Sequence, residues 1–192
     1  MSQNMPCSKC GVLILESTAL RTNGLCIPCK SGYRERVEAG KRRFTTQTDP
    51  YRSLWVSLVE QVYHSPTGFN GLSQPQRLYF AIGLLEGEVY NGGFEQYFSN
   101  DSGSYYTYAE EGLIELGAFQ TLELLHQAKE VLFPRGSVPV NATERGRALV
   151  EEYLSTPTWR NKLDDLDNRY WANSENIALR LERFAQNHGL TS

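Results

Sequence analysis

Four cysteines carry the plainest chemistry in the chain, and all fall within its first 29 residues: Cys7 and Cys10 in "CSKC", Cys26 and Cys29 in "CIPC". The pattern, C-x2-C-x15-C-x2-C, has the spacing of a four-thiolate zinc site. Two residues between thiols let one tight turn aim both sulfurs at a single ion, and tetrahedral zinc takes two such turns facing each other. Gly11, directly after Cys10, supplies the permissive backbone that such a turn uses. Two disulfides are disfavoured in a chain whose opening, "MSQNMPCSKC", lacks a secretion signal. A C-x-x-C redox pair normally opens a helix in a βαβ context, which this segment lacks. Four protein ligands leave no position for substrate, so the Zn2+ expected here is structural. Between the pairs, "VLILESTALRTNGL" reads as a short β-hairpin that returns through Asn23-Gly24.

The rest of the chain must be positioned around this ribbon, and its charge is unevenly spread. Residues 1–50 hold eight Lys/Arg against four Asp/Glu, whereas residues 51–192 hold eleven against eighteen. Just after the ribbon, Lys30 to Arg43 has six basic and two acidic residues. It reads as a solvated linker over residues 31–48, or as a contact for nucleic-acid phosphates through Arg34, Arg36, Lys41, Arg42 and Arg43. The opposite extreme is Leu78 to Ala128, which has no Lys or Arg and eight acids: Glu86, Glu88, Glu95, Asp101, Glu110, Glu111, Glu115 and Glu123. Such asymmetry bears on partners, not on fold.

Residues 49–192 read as helical throughout. Asp49-Pro50 is a helix start, with Asp as N-cap and Pro at the first helical position, and Leu54, Leu58 and Val62 follow on one face. Ser73, Pro75 and Gln76 form a second start of the capping-box type, leading into a mostly apolar central helix that Gly92-Gly93 should end. Beyond it, Phe94, Tyr97 and Phe98 recur at i, i+3, i+4 and predict a successor helix folded onto the core. Further helices are predicted over "SYYTYAEEGLIELG", "FQTLELLHQAKEVLF", Asn141 to Leu154 and "SENIALRLERFAQNHG". "DDLDNR" at Asp164–Arg169 lacks the Gly and Glu of a calcium loop and reads as a helix start or solvated turn. His64, His126 and His188 have no ligand spacing, and no phosphate-binding loop, nucleophile elbow or dinucleotide fingerprint is present. The expected fold is mainly α: a zinc ribbon (residues 1–30), a basic linker (31–48) and an all-helical domain (49–192). No apolar run reaches the roughly 18 residues of a membrane span, and a cytoplasmic, non-enzymatic protein is the expectation.

Glu88 to Gly103, "EVYNGGFEQYFSNDSG", resembles the signature of a bacterial family catalogued as domain of unknown function 4375, whose named member is a DNA mimic. The resemblance covers about Tyr51 to Phe184, and its most specific part is Asn91–Phe98. It implies an all-helical fold, a homodimer, and an acidic surface that occupies the DNA-binding face of a transcription factor; the ribbon is an addition to the family pattern. On this basis Glu86, Glu88, Glu95, Glu110, Glu111 and Glu115 are the candidate contacts to a basic protein partner. The alternative function is nucleic-acid binding by the ribbon and residues 30–43. A third arrangement joins the two, with the basic segment docked on the acidic domain, in its own chain or across a dimer, as self-inhibition.

Overall fold

The computed structural model describes residues 4–30, 32, 34, 49–155, 158–172 and 175–191. Most of the predicted linker, with Arg36, Lys41, Arg42 and Arg43, lies outside the described residues. The ribbon begins with β1 (Asn4–Pro6) and β2 (Leu13–Leu15), paired antiparallel with Met5 opposite Ile14. The hairpin therefore closes around the first cysteine pair, not between the two pairs where the sequence predicts it. The cause is local. The Cys7–Gly11 turn itself reverses the chain, with the Gly11 N–H on the Cys7 carbonyl at 2.8 Å and Gly11 at φ +74°. The residues predicted to return as a strand instead form a short helix, α1 (Glu16–Arg21), whose first-turn acid and last-turn base suit the helix dipole. Asn23 and Gly24, both at positive φ, then turn the chain into α2 (Ile27–Lys30), the single turn that carries Cys29.

In the helical domain the predicted starts are where the capping chemistry puts them. Asp49 Oδ1 accepts the N–H groups of Tyr51 and Arg52 at 2.9 and 3.3 Å and opens α3 (Pro50–His64). Gln76 Oε1 accepts the Ser73 N–H at 2.9 Å and opens α4 (Gln74–Ser99). Helix α4 is the centre of the fold and packs against α5 (Tyr106–Glu115), α7 (Ala142–Ser155), α8 (Trp159–Trp171) and α9 (Ile177–Asn187). Helix α6 (Phe119–Leu132) fills the space between α5, α7 and α8. Phe80, Ala81, Ile82, Leu85 and Val89 of α4 are fully buried.

Helix α4 breaks at Gly93, whose φ of +83° and ψ of −178° lie in a region that only glycine occupies readily. Phe94, Tyr97 and Phe98 then resume the helical path, all fully buried, as their spacing predicts. The break interrupts the backbone ladder, and α8 supplies substitutes. Asp167 Oδ1 accepts the Phe94 N–H at 2.8 Å, and Trp171 Nε1 donates to the Val89 carbonyl at 2.9 Å. The acidic run Asp164–Arg169 is thus not a helix start or a solvated turn: it lies inside α8, and Asp167 is 1% exposed. Burial pushes the Asp167 carboxyl up to about 7; the Phe94 N–H and Arg21 pull it back, and Asp164 and Glu95 push it further.

Below the break, a 3-10 turn at Asp101–Tyr105 is held by a residue the sequence did not single out. Arg145 is 1% exposed and, among the described residues, has no carboxylate as a hydrogen-bond partner. It donates to the carbonyls of Phe98, Asn100, Pro139 and Val140 at 2.8–3.0 Å and to Ser104 Oγ at 3.2 Å. One guanidinium therefore ties the end of α4 to the segment that precedes α7.

Candidate functional site

The four cysteine sulfurs come together. All lie within 4.8 Å of one another, Cys10 and Cys26 at 3.6 Å, and all four are free thiols. A disulfide needs about 2.05 Å, whereas thiolates around zinc at about 2.3 Å stand ~3.8 Å apart, so the set fits a tetrahedral ion. The surrounding backbone prepares it. The Cys26 N–H donates to Cys7 Sγ at 3.1 Å, and the Cys29 N–H bonds the Cys26 carbonyl at 3.0 Å to form the second turn. Burial works against ionising Cys7, but the N–H groups of Cys26, Lys9 and Cys10 outweigh it and hold the thiol down at about 6. Burial and the neighbouring thiols push Cys29 up to about 12. Four sulfurs this close cannot all be thiolates without a cation among them, and that is the chemistry a metal ion supplies. Arg34, named above as a nucleic-acid contact, has Nη1 4.0 Å from Cys26 Sγ, so its charge faces this cluster.

The six candidate glutamates do not form one uniform face. Glu86 is half-buried in α4, and burial pushes its carboxyl up to about 7, which makes it a poor permanent anion. Glu95 is neutralised by Arg21 at 3.1 Å, and Glu110 is engaged by His126 Nε2 and the Tyr106 hydroxyl, both at 2.8 Å. Glu88, Glu111 and Glu115 behave differently. Glu88 accepts the side-chain amides of Gln96 and Asn100 at 2.5 and 3.0 Å. Exposed Glu111 accepts the Gln74 amide at 2.7 Å, and exposed Glu115 follows one turn later on α5. Asp101, on the 3-10 turn, shares an open cleft with Glu88 and Tyr63; burial first, then both carboxylates, raise the Tyr63 hydroxyl.

The histidines do not assemble: His126 meets Glu110, His188 packs on the Phe184 ring at 4.3 Å, and His64 ends α3. Among the described residues, the cysteines are the one set of three or more potential ligands close enough to share an ion, and no helix is long and apolar enough to cross a membrane. Two buried residues that hold the corner and end of α4, Arg145 and Asp167, escape sequence reasoning because their partners lie 47 and 73 residues away. Compared with known proteins, residues 70–188, well over half of the chain, match the family model described as DMP19-like protein. No curated protein and no solved structure matches.

Proposed function

The chain belongs to the DMP19-like protein family, and from that membership we propose that it is a non-enzymatic, protein-binding regulator whose acidic helical surface stands in for DNA. Its partner is a protein with a basic, DNA-binding face, such as a transcription factor. The observation that carries this reading is how Glu88 is held. Two neutral amides fix the carboxylate in place, and among the described residues no cation pairs with it. Imitating a phosphate takes both properties: a fixed position and a charge left uncompensated for the partner's Lys and Arg. Glu111, held by the Gln74 amide, repeats the device, and Glu123 does so again through Gln127 at 2.7 Å.

Changing Glu88, Glu111 and Glu115 together to Gln is expected to weaken binding to the basic partner by tenfold or more, on the order of what close interfacial charge pairs contribute. The same change should flatten the dependence of affinity on salt. Glu86→Gln, which alters a half-buried group, serves as the control and should change little. Binding that is indifferent to salt and to the triple change contradicts the proposal.

In the same proposal, Cys7, Cys10, Cys26 and Cys29 hold one structural Zn2+ that joins the hairpin to α2. Elemental analysis of the purified protein is expected to find about one zinc per chain, as for four-thiolate sites generally. Cys26→Ser should lose the ion and make residues 4–30 sensitive to protease while leaving the helical circular-dichroism signal of the main domain. A metal-free protein with four titratable thiols and an equally resistant ribbon would overturn this part.

A further inference from the structure

Arg21 leaves the ribbon and enters the helical domain. Its Nη1 lies 3.1 Å from Glu95 Oε2 and its Nη2 reaches the Gly92 carbonyl at 3.4 Å, with the side chain only 13% exposed. Gly92 immediately precedes the break in α4, where the helical ladder is interrupted. Asp167 is buried on the same corner, near enough for the Arg21 charge to act on its carboxyl. Ile27, 2% exposed, seats the next part of the ribbon in the core of the helical domain, with α2 against α4. Within the cation-free stretch, Glu95 therefore differs from Glu88: its counter-charge arrives from a separate module of the same chain.

We propose that Glu95 and the Gly92 carbonyl form a guanidinium-binding site on the acidic domain, filled in cis by Arg21 and open to a partner's arginine when the ribbon lets go. The two nitrogens of one planar fork reach two different acceptors, a carboxylate and a carbonyl, which an ammonium group on a flexible stem does not reproduce. Asp167, bonded to the Phe94 N–H, braces the corner that presents the Gly92 carbonyl without taking up the fork. The ribbon is too small for a large core of its own, so its grip on Arg21 rests on Ile27 in the domain core and on the Zn2+ proposed for the cysteines. The contact in cis is made by α1 of the ribbon; most of the basic stretch that the sequence offers for that role lies outside the described residues. The site belongs to the acidic surface proposed above, but occupying it with a small guanidinium needs no partner protein. A failed rescue and a failed partner interaction are therefore separate results.

The test is chemical rescue in the full, zinc-loaded chain, read by hydrogen–deuterium exchange over residues 92–98. Arg21→Ala is expected to speed exchange by about tenfold, as local opening of a corner does. Ethylguanidinium should restore protection saturably, and tetramethylammonium or sodium chloride at equal concentration should not. Adding Glu95→Gln should abolish the rescue. Arg21→Lys, which keeps the charge, should protect only in part. Wild-type protein stripped of metal by a chelator should respond to ethylguanidinium as Arg21→Ala does. Rescue by any cation, no rescue in a chain that keeps its helical signal, wild-type exchange in Arg21→Lys, or no response of the stripped wild type would each overturn the proposal.

Discussion

Replacing Arg145 with Met is expected to cost about 3 kcal/mol of stability, from the loss of several hydrogen bonds that a charged donor makes to carbonyls, each worth about 1.5–3 kcal/mol when buried. Four backbone carbonyls accept from this one side chain; those of Asn100 and Val140 also accept from the Gly103 N–H and Ser104 Oγ, whereas those of Phe98 and Pro139 depend on Arg145 among the contacts between described residues. Met fills much of the volume but donates nothing, and each buried acceptor left without a donor costs about 1–3 kcal/mol unless water reaches it. Lys keeps the charge with three donors and no fork, so Arg145→Lys should fall between wild type and Met. Arg147→Met, two residues on at an exposed position, should stay within about 0.5 kcal/mol. Urea unfolding of the four proteins measures this directly. Equal midpoints for Arg145→Met and Arg147→Met would show that the buried guanidinium is not the tie described.

The second large effect is at the break in α4. An added Cβ at Gly93 would lie 2.1 Å from Asp167 Oδ2 and 2.7 Å from its Cγ, at a φ of +83° that side-chain-bearing residues rarely adopt. The backbone conformation alone costs about 1–3 kcal/mol. Relieving the clash means moving Asp167, which gives up its bond to the Phe94 N–H. Gly93→Ala is therefore expected to lose ~3 kcal/mol or more from strain and the lost bond together. Gly87, six residues earlier in the same helix, is exposed, and nothing lies within 4 Å of an added Cβ. Gly87→Ala should be neutral or stabilising by up to about 1 kcal/mol. The opposite signs of two Gly→Ala changes in one helix distinguish a required break from a general intolerance of substitution; unfolding midpoints that move together would contradict it.

What could be read without the structure was local. Asp49-Pro50, the Ser73/Gln76 box and the Phe94, Tyr97, Phe98 spacing each encode an element within a few residues, and each element forms there. The cysteine spacing predicted that four sulfurs would meet, because two short turns determine it. The hairpin lies upstream of its predicted place because "VLILESTALRTNGL" contains both a strand and a good helix former, and the turn that selects a partner for the strand precedes it. Asp167 and Arg21 look like solvated charges in sequence. Only the fold brings Asp167 to the Phe94 N–H and Arg21 to Glu95, across 73 and 74 residues. The same limit applies to the acidic stretch. Its lack of Lys and Arg is visible in the sequence, but which carboxylates are held by amides, which by cations and which are half-buried is decided by contacts between elements.

The central claim is that the acidic face occupies the place of DNA on a basic partner, and competition tests it most directly. The protein is immobilised with a bound DNA-binding partner captured from its native extract, and duplex DNA carrying that partner's site is added in increasing amounts. The account predicts that DNA releases the partner completely and that the Glu88, Glu111 and Glu115 triple Gln variant fails to capture it. Retention of the partner alongside bound DNA, in a ternary complex, would contradict it.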